Sequence, residues 1–225
     1  PSNPTGSVYS HEELAGLAEV IKKHEDVYVM ADEIYEHINY IGKHASIAKI
    51  EGMKERSIIV NGVSKAYAMT GWRIGYIAAP EWIVKGCNKL QGQYTSGPCS
   101  VSQKAAEAAY TLEQGCVEDM RKAFERRRDL IVKLAKDIPG LEVNVPEGAF
   151  YLFPKCSSFF GKSNGEKTIN NSTDFALYLL EEAHVACVGG SAFGDDDCIR
   201  MSYATSDENL KEAFKRIKEK LALLK

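Results

Sequence analysis

No CxxC pair occurs among the six cysteines, Cys87, Cys99, Cys116, Cys156, Cys187 and Cys198. Without that spacing neither a structural zinc site nor a thioredoxin-type centre is built, and the thiols are read as reduced, as in a cytoplasmic protein. No apolar run approaches the length that crosses a bilayer, and no charged-then-apolar leader opens the chain, so a soluble protein with no membrane partner is expected. Charge of one sign is not in excess: 28 Lys and Arg stand against 31 Asp and Glu in 225 residues. No broad electropositive face follows, which argues against nucleic acid as partner and for a small ligand. His11, His24, His37, His44 and His184 show no spacing with Cys or acids that suggests a metal site, and are expected at the surface or in loops. Internal repeats are absent.

A hydrophobic share of 44% supports a real core. The chain opens on Pro1 and runs straight into turn chemistry at Ser2-Asn3-Pro4-Thr5-Gly6, which suggests a fragment of a longer protein. Ser10 with Glu13 forms a capping box for a first helix whose apolar face is Leu14, Leu17, Ala18 and Ile21. Val27-Tyr28-Val29-Met30-Ala31 reads as a strand covered on both faces, ending in the polar group Asp32-Glu33-Ile34-Tyr35. Ser57-Ile58-Ile59-Val60 repeats the design and ends in Gly62-Val63-Ser64-Lys65, and Arg73 to Ala78 makes a third strand. Such alternation predicts an α/β fold with a mostly parallel open sheet, in which ligands bind beyond the carboxyl ends of the strands. Asp32 and Lys65 both occupy such ends.

From Ser102 to about Ala135 the pattern predicts one long helix, with Met120, Phe124, Ile131 and Leu134 on its apolar face. After Pro139-Gly140 it turns to short strands, Gly148 to Phe153, Val185 to Val188 and Ile199 to Tyr203, separated by helices near Thr173–Glu182 and Ser206–Leu224. The expected division is therefore 1–116 for the larger domain, 117–140 for a connecting helix and 141–225 for a small α+β domain. The stretch Ser157–Asn171 reads as an exposed loop, and Arg126-Arg127-Arg128 as a solvated helix face without function.

A Lys at the polar end of a buried strand can be partly desolvated, which frees its amine for nucleophilic attack, although a lone Lys is more often simply solvated. The neighbours of Lys65 decide the matter. Ser64-Lys65-Ala66-Tyr67-Ala68-Met69-Thr70-Gly71-Trp72-Arg73-Ile74-Gly75-Tyr76 resembles the Schiff-base lysine signature of the class I (fold-type I) aminotransferases, which are pyridoxal-phosphate enzymes. Asn3-Pro4-Thr5-Gly6, Asp32-Glu33-Ile34-Tyr35 and Ile199-Arg200-Met201-Ser202-Tyr203-Ala204 look like three further signatures in the family's order. The resemblance runs from Pro1 to the C-terminus, and Pro146-Glu147-Gly148-Ala149-Phe150-Tyr151 looks most like the bacterial aspartate aminotransferase subgroup.

The resemblance implies a C-terminal fragment with part of the pyridoxal-phosphate-binding large domain and the small domain. It implies that Lys65 holds pyridoxal 5'-phosphate and moves the substrate's α-proton. Asp32 would pair with the pyridine nitrogen, Tyr35 and Asn3 would hydrogen-bond the phenolic oxygen, and Ser64 and Arg73 would bind the phosphate. Arg200 sits inside an apolar strand, where a guanidinium needs an anionic partner; in the family that partner is the substrate α-carboxylate, which Asn3 also contacts. Transamination between aspartate and 2-oxoglutarate is the expected reaction, with the full-length protein a homodimer. A carbon–sulfur lyase, a pyridoxal-phosphate-binding effector domain of a regulator and an inactive truncated remnant remain alternatives at this point.

Overall fold

A computed structural model describes the whole chain, Pro1–Lys225. It divides into two compact units, one of Pro1 with Val8–Arg121 and one of Ser2–Ser7 with Lys122–Lys225. The division falls inside a helix, later than the expected boundary at residue 116, and the Ser2–Ser7 turn groups with the C-terminal part of the chain.

In the first unit, α1 (His11–Ile21) starts at the capping box: the Glu13 amide donates to Ser10 Oγ and the Ser10 amide to Glu13 Oε2. Leu14 and Ala18 on its apolar face meet Ile47 and Met53, with Val29 and Ala31 packed against them. Strands β1 (Val29–Asp32), β2 (Ser57–Gly62) and β3 (Gly75–Ala78) form the sheet in the order β1-β2-β3. β1 and β2 are parallel and β3 runs antiparallel to β2. The sheet is thus mixed, as an α/β fold with an antiparallel edge allows. β1 is not covered on both faces: Val29 and Ala31 face the α1 cluster, whereas Met30 is 73% exposed. The continuous apolar run suits a doubly covered strand, but on the second face Met30 stays open to solvent. Helix α2 (Glu81–Tyr94) likewise buries none of its residues.

The expected single helix is two, α3 (Ser100–Thr111) and α4 (Gly115–Lys136). The break is local chemistry. Leu112 turns extended, and Gln114 Nε2 caps the end of α3 by donating to the Ala109 and Leu112 carbonyls, with Gly115 opening the next helix.

In the second unit, β4 (Tyr151–Leu152), β5 (Val188–Gly189) and β6 (Ile199–Ser202) make an antiparallel sheet ordered β4-β6-β5. β4 is shorter than its apolar run because Ala149 takes a left-handed conformation (φ 57°) that ends the extended backbone. Helices α5 (Ser172–Ala183) and α6 (Asp207–Leu221) complete the unit. Leu210, Phe214, Ile217 and Leu221 on α6 are buried, as their spacing predicts. The 157–171 stretch is not simply an exposed loop, since Phe159 and Ile169 are buried and pin it down. No helix is long and apolar enough to cross a membrane.

Candidate active site

Strand register assembles the first group of side chains. Parallel pairing sets Asp32 beside Val60, so β2 runs on past the carboxyl end of β1 to Gly62 and then Ser64-Lys65. Antiparallel pairing sets Gly62 opposite Gly75, so Ser64, just after one, and Arg73, just before the other, lie beyond the same end of the sheet. That pairing needs glycine: a Cβ on Gly62 would stand 2.9 Å from the Gly75 Cα and 3.1 Å from the Ile74 carbonyl oxygen. Asp32, Ser64, Lys65 and Arg73 therefore share one sheet end, and Tyr35 joins them, its ring centroid 5.9 Å from Lys65 Nζ.

The loop from Ser64 to Arg73 is held by its own polar groups. Thr70 Oγ1 donates to the Ser64 carbonyl (2.9 Å) and Arg73 Nη1 donates to the Thr70 carbonyl (2.8 Å). Arg73 does not begin a strand, as its sequence context suggested; it has φ 52° and closes a short 3₁₀ turn, Thr70–Trp72. Ala68 is left-handed too (φ 53°), and two non-glycine residues in that region within one short loop are a form of strain found at functional sites. Lys65 and Ser64 are half-buried, Tyr35 is buried, and Asp32 is exposed with its Oδ1 accepting from the Ile34 amide (3.2 Å).

Glu33 and Glu36 have partners of their own, which no spacing in the sequence announces. Glu33 is buried, its Oε2 2.9 Å from His44 Nε2. Burial pushes its carboxyl up, but the His44 and Ser46 side chains beside it outweigh that and hold it below the ordinary glutamate range. Glu36 Oε1 accepts from Asn61 Nδ2 (2.7 Å), and His37 Nε2 lies 3.5 Å away. The expected surface histidine His44 is thus largely enclosed, and the segment that carries Asp32 and Tyr35 is anchored through its alternate residues.

The second unit brings Asn3 and Arg200 together. Arg200 Nη1 donates to Asn3 Oδ1 (2.9 Å). Asn3 is fixed by the Ser2–Ser7 turn: the Ser2 amide donates to the Ser7 carbonyl, and the Glu147 and Gly148 amides both donate to the Gly6 carbonyl at 2.9 Å. Gly6 has φ 71°, and a side chain there would meet Pro146. Arg200 has no carboxylate of this chain within ion-pair distance, although it sits between the buried residues Ile199 and Met201. The Arg126-Arg127-Arg128 run is more than a solvated face. Arg126 and Arg127 both bond Asp207 at the start of α6, and Arg128 Nη1 donates to the Pro146 carbonyl. These bonds are structural, and sequence spacing could not reveal them because the partners are distant in the chain.

Chemically, the first group offers a half-buried amine, a carboxylate, a phenol, a hydroxyl and a guanidinium at one sheet end, and the second a guanidinium without a counter-charge beside an amide. The family model "Aminotransferase class I and II" matches residues 1–217. A Petunia hybrida protein named bifunctional aspartate aminotransferase and glutamate/aspartate-prephenate aminotransferase is 50% identical over 230 residues, covering 100% of this chain and 48% of its own length. A Rickettsia bellii protein named probable aspartate/prephenate aminotransferase is 51% identical over 220 residues, covering 96% of this chain and 55% of its own. The crystal structure of an aspartate aminotransferase from Rhizobium meliloti superposes with a TM-score of 0.95 at 46% identity, over 100% of this chain and 57% of that one. The chain spans about half the length of the curated relatives it matches.

Proposed function

The chain belongs to the class I and II aminotransferases, and from that premise we propose that the whole protein transfers an amino group between L-aspartate and 2-oxoglutarate, with pyridoxal phosphate as cofactor. The observation that carries this reading is the strand register that sets Asp32, Ser64, Lys65 and Arg73 at one sheet end. The donor set fits the cofactor: an amine for its aldehyde, a carboxylate for its ring nitrogen, a hydroxyl and a guanidinium for its phosphate.

When bound, pyridoxal phosphate supplies an electron sink for the carbanion left by loss of an α-proton. On this reading Lys65 holds the cofactor covalently and then serves as general base and acid at the substrate α-carbon. The Asp32 carboxylate keeps a proton on the ring nitrogen, and the Tyr35 hydroxyl hydrogen-bonds the phenolic oxygen. Ser64 Oγ and the Arg73 guanidinium hold the phosphate through charge-assisted bonds. In the second unit, Arg200 grips the α-carboxylate with two parallel N–H bonds. Asn3, whose amide oxygen accepts from Arg200, keeps its amide nitrogen to donate to the phenolic oxygen. The reading extends to a cytoplasmic homodimer for the full-length protein. The Petunia and Rickettsia relatives are named for prephenate as well, so prephenate belongs beside 2-oxoglutarate in the acceptor assay.

The test is an absorption spectrum of the purified chain with pyridoxal phosphate before and after borohydride, with peptide mass spectrometry and Lys65→Ala alongside. A visible band that borohydride traps on the Lys65 peptide, absent from the variant, is expected. Trapping at another lysine with equal yield in Lys65→Ala would reject the assignment.

A further inference from the structure

Arg200 lies on the middle strand of the second sheet, and the register decides its neighbours. β4 and β6 pair Tyr151 with Ser202 and Leu152 with Met201, so Tyr151 shares a face with Arg200 while Leu152 joins Ile199 and Met201 in the core. A second ring arrives from the 3₁₀ turn Gly190–Phe193. That turn is tightly set: the Gly190 amide donates to the Cys198 carbonyl (2.8 Å), the Asp195 amide to the Gly190 carbonyl (3.1 Å), and a Cβ on Gly190 would run into the Asp195 and Cys198 carbonyls. Phe193 is further backed edge-on by Phe153, with ring centroids 6.0 Å apart at 90°.

The result is a guanidinium packed against two aromatic rings. Arg200 Cζ stands 4.8 Å from the Tyr151 centroid and 4.7 Å from the Phe193 centroid. Its Nη1 is tied in addition to Asn3 Oδ1 at 2.9 Å. That bond takes one of the five N–H donors of the guanidinium. Rings that occupy the approaches to the guanidinium face leave its N–H edge for a ligand, and they remove the rotamer freedom that a long cation otherwise loses on binding.

Resting on the carboxylate role of Arg200 given above, we propose that Tyr151 and Phe193 are positioning residues: together they orient the Arg200 guanidinium so that it meets a planar carboxylate through its edge. Neither residue touches the reacting atoms in this role. Their effect is on binding of the carboxylate, and it depends on an aromatic ring at each position rather than on bulk.

The experiment uses the whole chain, with succinate as the carboxylate probe and arginine side-chain NMR as an independent readout. Wild type, Phe193→Leu, Tyr151→Leu, Phe193→Tyr and Arg200→Lys are compared after thermal melts establish that each is folded. Slow rotation of the Arg200 guanidinium, seen as resolved Nη signals, is expected in wild type and in Phe193→Tyr, with faster averaging in both leucine variants. Succinate affinity is expected to fall about tenfold in each leucine variant, from the lost ring contact and the restored side-chain freedom, and to be regained in Phe193→Tyr. Wild-type affinity in both leucine variants, with binding still lost in Arg200→Lys, overturns the positioning role alone. Wild-type affinity in Arg200→Lys overturns the carboxylate reading and the positioning role with it.

Discussion

Arg56 offers the sharpest test of how the first unit holds its sheet end in place. It follows Met53 in the α1 cluster and directs its guanidinium back at the carboxyl end of α1 and the turn into β1. Nη1 donates to the Ile21 carbonyl (3.1 Å), Nε to the Val27 carbonyl (3.1 Å) and Nη2 to the His24 carbonyl. One cation thus closes the helix, the loop and the start of the strand that ends in Asp32. The Ile21 bond is partly buried and, made by a charged donor, contributes about 1.5 kcal/mol. The two exposed bonds give about 0.5 kcal/mol each once water competes, and a cation at a helix C-terminus adds about 0.5 kcal/mol more. Arg56→Met, which keeps the apolar stem, is therefore expected to destabilise the unit by about 3 kcal/mol. Arg56→Lys, which keeps the charge and one bond, is expected to recover about half of that. Both tryptophans, Trp72 and Trp82, lie in this unit, so a urea titration followed by tryptophan fluorescence reads it separately from the other. With a slope near about 2 kcal/mol/M, the midpoint falls by about 1.5 M in Arg56→Met. A midpoint within about 0.25 M of wild type at an unchanged slope would refute the argument, because it would mean that water replaces all three bonds at no cost.

Two further outcomes follow from the titrating groups. The Glu33 carboxyl is held below its ordinary value, so its contribution to stability is full above that value and is lost as pH falls through the lowered one; Glu33→Gln should flatten the urea-midpoint profile below about pH 4.5, and an acid limb of unchanged steepness would show that the His44 and Ser46 bonds stabilise nothing. All six cysteines are free thiols, but backbone amides of Ser102 and Val101 lower the exposed Cys99 while burial pushes Cys156 and Cys198 up to about 12. Iodoacetamide near neutral pH, read by peptide mass spectrometry, should label Cys99 well ahead of Cys156 and Cys198, and equal rates would contradict this order.

What could be read from the chain alone was what its local chemistry determines. The capping box Ser10/Glu13 lies within one helical turn and each step of the α6 stripe spans about one more, and both elements stand where the pattern puts them. The break at Leu112–Gln114 has no local signal because the side chain that caps α3 is a glutamine, a residue that ordinarily continues a helix. β4 is shorter than its apolar run, and nothing in Gly148-Ala149-Phe150 announces that an alanine turns left-handed there. The exposed Met30 shows the limit of reading an apolar run. Hydrophobicity states that a strand suits a covered face; it does not state whether this chain supplies the cover.

The same distinction separates the parts of the site. Asp32 and Lys65 were legible because each ends an apolar run, and a polar group at a strand end is a local signal with a spatial consequence. Arg200 was legible for the opposite reason: a guanidinium inside an apolar strand is costly unless something compensates it, so its position demanded a partner before any partner was known. The structure answers part of that demand with Asn3 and two rings. Rings stabilise a cation without neutralising it, and an amide oxygen takes only one of five donors. The charge therefore remains to be met by an anion, whereas the more deeply buried Glu33 lies 2.9 Å from His44 Nε2. Of these two ionic groups, the one paired within the chain serves to hold a turn. The one left with its charge unmet is the one that our proposal assigns to a carboxylate ligand.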